Sequence, residues 1–295
     1  MSTPAVPRPA RDRIVTSLGH RRRAILDVIG RAEREISLSM FRCDDDEILE
    51  GLAGAAGRGV AVDVLVTRRT KDDPGELEEV RRTLQRAGAA VHTYADPTVK
   101  YHAKYLVADS GPAIVSSLNF TQKCFEQTLD ALVVTYDPQI VSGLRRLIDA
   151  DCRGLPLPDS LSVRLIVGPE HARRQFKALI AGARSSIRVI DAKLSDAHVL
   201  SLLDAKRKQG LKVEILGSRK LGGLKSHGKI MLVDDRIAVV GSVALTAPSL
   251  DLRRELAVVI DEPTAVAEIR RLFDFTARPR ARHTAAAAAE GWALC

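Results

Sequence analysis

The chain has 295 residues, enough for two modest domains that each bury a core of their own. Hydrophobic residues make up 45% and charged residues 28%, an ordinary globular balance that excludes a disordered or fibrous chain. The formal charge of +8 predicts an anionic partner, nucleic acid or lipid headgroup, against the plainer reading of a basic surface kept for solubility. Cys43, Cys124, Cys152 and Cys295 show no CxxC spacing, so a reduced, cytoplasmic setting is expected, with no metal site and no cofactor. Cys295 ends the chain and so is not a prenylation box. The Pro- and Arg-rich opening lacks the apolar stretch of a signal peptide. No apolar run approaches the roughly 18–20 residues that span a bilayer, so any membrane contact is expected to be peripheral.

In chain order, residues 1–17 read as a flexible terminus. The spacing of Ile25, Leu26, Ile29 and Ala32 predicts a helix over 21–34. Ile36 to Phe41 alternates as a strand, Asp44 to Asp46 offer caps for a helix over 47–56, and Val60 to Val66 is a second strand. Arg21, Arg22 and Arg23 read as a solvated helix face. This opening repeats: adding 151 takes Ile25 to Phe176, Ile36 to Ile187, Gly59 to Gly210 and Val62 to Val213. Within residues 68–100 a helix over 75–86 and a strand over 90–94 follow.

Two further blocks then match each other without a gap. HAKYLVAD begins at His102 and HGKIMLVD at His227, an offset of 125 that also maps Ser117 to Ser242, Asp130 to Glu255 and Pro138 to Pro263. The drop in offset from 151 to 125 gives the first copy 26 extra residues ahead of its histidine. After each histidine the pattern reads strand, turn, strand, polar loop, strand and amphipathic helix. The two prolines and glycine of residues 154–159 mark the connection between copies. The expected fold class is α/β, as two tandem lobes over 18–153 and 160–277, with flexible ends at 1–17 and 278–295.

On a strand, residues i and i+2 share a face, which puts His102 beside Lys104 and His227 beside Lys229. An imidazole next to a fixed cation suits a site that holds an anion. Ser117 and Asn119 can donate hydrogen bonds to phosphate oxygens. Asp130 and Glu255 are carboxylates able to fix a histidine tautomer. The remaining histidines, His20, His92, His171, His198 and His283, have no repeated partner and read as surface or satisfied residues.

These paired HxKxxxxD blocks resemble those of the phospholipase D superfamily, over about residues 20–277. The resemblance implies two α/β/α sandwich lobes related by a pseudo-twofold, with the motifs meeting at the lobe interface and no metal required. It implies His102 as nucleophile, forming a phosphohistidine, and His227 as general acid and base, although the roles could be exchanged. Lys104, Lys229, Ser117, Asn119 and Ser242 would bind phosphoryl oxygens, and Asp130 and Glu255 would orient the rings. Asp109 and Asp234 read as turn anchors rather than chemistry.

The family's Gly-Ser-x-Asn loop becomes Ser116-Ser117-Leu118-Asn119 in one copy and Gly241-Ser242-Val243-Ala244 in the other. A lost phosphate donor costs roughly 2.7–4 kcal/mol by analogy with an oxyanion hole. Arg219, Lys220 and Lys225, just before His227, are candidate substrate-phosphate contacts or a solvated basic loop. Charge and compactness favour a nucleic-acid phosphodiester as substrate by a narrow margin. The alternatives are a phospholipid hydrolase or phosphatidyltransferase of the cardiolipin synthase kind, and a degenerate polyanion-binding protein. A monomer with two pseudo-dimeric lobes is expected, with a rate that falls at acid pH from an unperturbed histidine pKa of roughly 6.5.

Overall fold

The computed structural model describes residues 11–68, 74–217, 220–221 and 223–277. The expectations for residues 1–10, Arg219, His283, Cys295 and the 278–295 tail fall outside the described residues. The first copy runs β1 (Asp12–Val15), α1 (Leu18–Arg31), β2 (Glu35–Met40), α2 (Asp46–Gly57), β3 (Ala61–Val66), α3 (Pro74–Arg86) and β4 (Ala90–Thr93). It continues with β5 (Lys100–Tyr101), β6 (Tyr105–Ala108), β7 (Ala113–Ser116), α4 (Gln122–Gln127), β8 (Thr128–Leu129), β9 (Leu132–Thr135) and α5 (Pro138–Arg153). The second copy begins β10 (Leu165–Gly168), α6 (Ala172–Gly182), β11 (Ser186–Ile190), α7 (Ala197–Lys208) and β12 (Lys212–Leu216). After β13 (Lys220–Leu221) and β14 (Leu224–Ser226) come β15 (Lys229–Val233), β16 (Ile237–Gly241), α8 (Ala247–Asp251), β17 (Arg253–Ile260) and α9 (Pro263–Ala277).

The two main sheets are ordered β1-β9-β7-β6-β2-β3-β4 and β10-β17-β16-β15-β11-β12. Strand for strand the two orders coincide, with β4 as the surplus strand delivered by the 26 extra residues. One correction concerns the start of the chain. Residues 12–15 are not a loose terminus: β1 pairs antiparallel with β9, and Ile14 and Val15 are buried. Asp12 is buried because Thr135 Oγ1 donates to it at 2.6 Å and Arg164 Nη2 at 2.6 Å. A four-residue edge strand gives too little alternation to be read from sequence.

The local chemistry of the helices repeats along with the sheets. Asp45 caps α2 by accepting from Ile48 N–H, and Asp196 caps α7 by accepting from Val199 N–H. Arg22 grips Asp45 at 2.8 Å, and its counterpart Arg173 grips Asp196 at 2.7 Å. Thr121 and Thr246 cap the short helices α4 and α8, in the stretches expected to be polar loops. Asp137 and Pro138 start α5, and Gly154 at φ 67° ends it.

Each sheet has its own apolar layer on the outer face. Ile25, Ile48 and Phe125 belong to the first of these, and Phe176, Val199 and Leu250 to the second. A third cluster joins the copies, combining Tyr105, Leu129 and Leu144 with Ile190, Leu232 and Phe273. Two short parallel pairings stitch the same seam: β5 with β17 (Lys100↔Arg253) and β14 with β8 (Lys225↔Thr128). These pairs are images of each other under the 125-residue offset, so the sequence repeat is also a pseudo-twofold in space.

Candidate active site

His102 and His227 both lie on this seam, each just after the strand that crosses into the other copy. His102 N–H donates to Arg254 O at 2.9 Å, and Gly228 N–H donates to Leu129 O at 2.7 Å. The crossing decides which carboxylate each ring meets. His102 Nδ1 is 2.9 Å from Glu255 Oε2, and His227 Nδ1 is 3.0 Å from Asp130 Oδ2. Each histidine is thus oriented by the acid of the opposite copy, although sequence spacing pairs it with the acid 28 residues downstream in its own. Both acids are fully buried, whereas the side chains of His102 and His227 keep 13% and 22% of their surface exposed. With Nδ1 engaged in each ring, Nε2 is the nitrogen left for chemistry.

Ser117 and Ser242 sit differently from expectation. The Ser117 hydroxyl donates to Asp130 Oδ1 at 2.6 Å and accepts from Ala131 N–H at 3.0 Å. Ser242 Oγ donates to Leu256 O at 3.3 Å, accepts Leu256 N–H at 3.1 Å, and helps hold Glu255 ionised. Both hydroxyls are buried, Ser117 against the Asp130 carboxylate and Ser242 against the Leu256 backbone next to Glu255. Asn119 is half-buried, and its Oδ1 has no hydrogen-bond partner.

Lys104 is buried and folds its Nζ back onto His102 O at 2.6 Å and toward His102 Nδ1 at 3.2 Å; Lys229 Nζ likewise donates to His227 O. Asp109 and Asp234 lie at the far ends of their strands. Asp109 accepts backbone N–H bonds from Glu33, Arg34 and Glu35, and Asp234 accepts them from Arg184, Ser185 and Ser186. Lys220 and Lys225 are exposed on the β13–β14 hairpin that leads to His227.

Burial sets the electrostatics. His102 is pushed down to about 3 by burial, with Glu255 opposing and Lys104 and Lys229 reinforcing. Asp130 raises His227, but burial and the charges of Lys229 and Lys104 outweigh it, and its pKa is lowered. Lys104 falls to about 7, chiefly through burial. Asp130 and Glu255 both lie at about 2: burial opposes ionisation, and their histidine and lysine neighbours overcome it. The acid limb expected near 6.5 therefore does not belong to these rings.

Several supporting residues gave no signal in the sequence. Thr128 Oγ1 donates to Asp130 Oδ2 at 2.6 Å, and Ser249 Oγ donates to Glu255 Oε1 at 2.7 Å. Arg21, expected on a solvated face, is fully buried; it donates to Thr16 O, Cys124 O and Thr128 O and so fixes the turn that carries Asp130. Its face of α1 packs against α4, a contact that periodicity alone does not reveal. Phe41 lies against His102 with ring centroids 4.6 Å apart and the ring planes tilted by 57°.

Cys124, Asp130 and His227 bring potential metal-ligating atoms within 4.8 Å of one another. The donor set does not fit a metal. Both Asp130 oxygens already accept hydrogen bonds, and burial together with the Asp130 charge raises the Cys124 thiol pKa, which keeps it protonated.

Two sheets in the same strand order, closed over a crossed pair of histidine–carboxylate couples, define a duplicated two-histidine α/β protein. The chain belongs to the phospholipase D-like family: residues 25–152 and 220–276 match the family model described as "Cardiolipin synthase, PLD-like domain". The polyphosphate kinase of Porphyromonas gingivalis superposes with a TM-score of 0.73 at 21% identity, over 91% of this chain and 50% of that one. The chain thus spans half the length of that kinase. Phosphatidylserine synthase of Haemophilus influenzae Rd KW20 superposes with a TM-score of 0.70 at 13% identity, over 90% of this chain and 86% of the synthase. No curated protein sequence matches the chain. No helix among the described residues is long and apolar enough to cross a membrane.

Proposed function

We propose that the chain cleaves phosphodiesters through a phosphohistidine, with His102 as nucleophile and His227 as general acid and base. The observation that carries this reading is the crossed pairing of His102 with Glu255 and His227 with Asp130. His102 Nε2 attacks phosphorus while Nδ1–H stays bonded to Glu255. The phosphorus–oxygen bond to the leaving group breaks, and His227 Nε2–H protonates the departing oxygen. Water or an alcohol then attacks the phosphoryl group and gives its proton to His227, and the phosphorus–nitrogen bond breaks to release His102. Burial pushes His102 down to about 3, which holds the ring neutral for attack.

Lys104, Lys229 and Asn119 bind the phosphoryl oxygens in this scheme, with Lys220 and Lys225 at the rim. The Asn119 amide, whose Oδ1 has no hydrogen-bond partner, keeps hydrogen-bonding capacity for this task.

The formal charge of +8 and the exposed lysines of the β13–β14 hairpin favour a polynucleotide. The match to a cardiolipin synthase domain model favours phosphatidyl transfer instead. Incubation with DNA, RNA and phosphatidylglycerol vesicles in EDTA distinguishes the two. Nucleic-acid cleavage with a trapped phosphohistidine that vanishes in His102→Ala is expected. Lipid turnover alone overturns the substrate preference, and absence of any phosphohistidine overturns the mechanism.

A further inference from the structure

Two loops of the second copy meet beside Glu255: residues 191–195, after β11, and residues 242–246, after β16. Asp191, 2% exposed, ties them together. Its Oδ1 accepts Lys193 N–H at 2.8 Å, and its Oδ2 accepts Leu245 N–H at 2.7 Å. Leu245 O in turn accepts Ser195 N–H at 3.1 Å. The backbone of Lys193 is therefore fixed next to Ala244, the position where the first copy carries Asn119. The Ala244 methyl group is buried and offers no donor.

The Lys193 side chain is exposed, yet its charge is felt by the site. Burial of part of the chain lowers its pKa first, then Lys229 and Arg253, while Glu255 and Asp191 oppose. From that fixed backbone the Lys193 side chain starts beside the Ala244 position, within reach of an anion bound in the site, and an ammonium there gains from such an anion. The first copy has the same loop pair, with Phe120 N–H donating to Arg42 O at 3.1 Å. Adding 151 to Arg42 gives Lys193, so a base stands here in both copies.

We propose that Lys193 donates to the phosphate oxygen that the missing amide at Ala244 leaves without a partner. This rests on the reading of the His102–His227 seam as a phosphoryl-transfer site. It also makes this half of the site cationic where an asparagine would be neutral, which favours more highly charged phosphates and makes binding more sensitive to salt.

The test uses the full chain and two readouts: calorimetric binding of inorganic phosphate, and turnover of bis(4-nitrophenyl) phosphate. Lys212→Ala removes the same charge from an exposed strand position and sets the baseline. Relative to it, Lys193→Ala is expected to weaken phosphate binding about tenfold or more and to lower kcat/KM at least as much. Lys193→Arg should stay within about threefold of the unaltered protein, and adding Ala244→Asn to Lys193→Ala should recover most of the loss. Phosphate binding by Lys193→Ala within about twofold of the Lys212→Ala baseline overturns the proposal, as does no recovery on adding Ala244→Asn. Full turnover in His102→Ala would sink the phosphohistidine reading instead; the phosphate-binding readout still decides the role of Lys193.

Discussion

Burial takes His102 down to about 3 because its imidazolium would sit dry beside Lys104 and Lys229, with Glu255 alone opposing. The ring is therefore neutral, and able to attack, from mildly acid pH upward. Lys104, lowered to about 7 mainly by burial, is a cation below that pH and neutral above it. In the proposed mechanism His227 gives a proton to the leaving group; its pKa is lowered as well, so that proton is lost as pH rises. The signs agree. The attacking ring is ready at low pH, and both the acid and the buried cation are lost toward high pH. The expected profile of kcat/KM falls with rising pH, starting below 6.5 as His227 loses its proton and continuing above about 7 as Lys104 does, with values at pH 8.5 at least about tenfold below those at pH 5.5. Initial rates across that range, in buffers of constant ionic strength, check this. A profile that climbs through 6.5 to an alkaline plateau would mean that His102 titrates as an unburied histidine.

The strands show how far the two copies have drifted while keeping one fold. Gly241 ends β16 where the first copy has Ser116 at the end of β7, and both pair with equivalent positions of the neighbouring strand. A Cβ at Gly241 would lie 2.2 Å from Leu256 O and 2.4 Å from Ala257 Cα, and neither backbone atom can give way cheaply. Gly241→Ser, which merely copies the other lobe, is expected to destabilise the protein by about 3 kcal/mol or more. Chemical denaturation at constant m-value measures this; a change below about 0.5 kcal/mol would show that β16 and β17 can separate to admit a side chain. Most of the strand and helix order was legible, because it repeats at fixed offsets and each repeat vouches for the other. What stayed hidden has physical reasons. The strands β5, β8, β13 and β14 are two or three residues long, too short for any period, and β5, β8 and β14 pair across the seam. Arg21 reads as a solvated charge until α4 and Thr128 supply the carbonyls that bury it. Ser117 and Ser242 repeat faithfully, but repetition alone cannot tell a brace behind a carboxylate from a donor in front of it.

The apolar cluster that joins the copies makes a prediction about the whole chain. Tyr101, Tyr105 and Leu129 from one copy and Ile190, Ile230 and Phe273 from the other are buried in it together, so neither copy alone covers its inner face. Ion pairs cross the same seam. Arg164 holds both Asp12 and Asp137 at 2.6 Å, and Arg254, paired at 2.7 Å with Glu170 of its own copy, lies 3.0 Å from Asp151 of the other. Arg254 also supplies the carbonyl that accepts His102 N–H, so opening the seam displaces the proposed nucleophile at the same moment. Two lobes joined only by a linker would melt separately, whereas two lobes that share a core must open together. Calorimetry is expected to show one transition, with a calorimetric to van't Hoff enthalpy ratio near 1, and loss of phosphodiester turnover coincident with it. Two resolved transitions, or turnover lost well before the main one, would mean that the seam yields first and that the shared cluster does not couple the lobes.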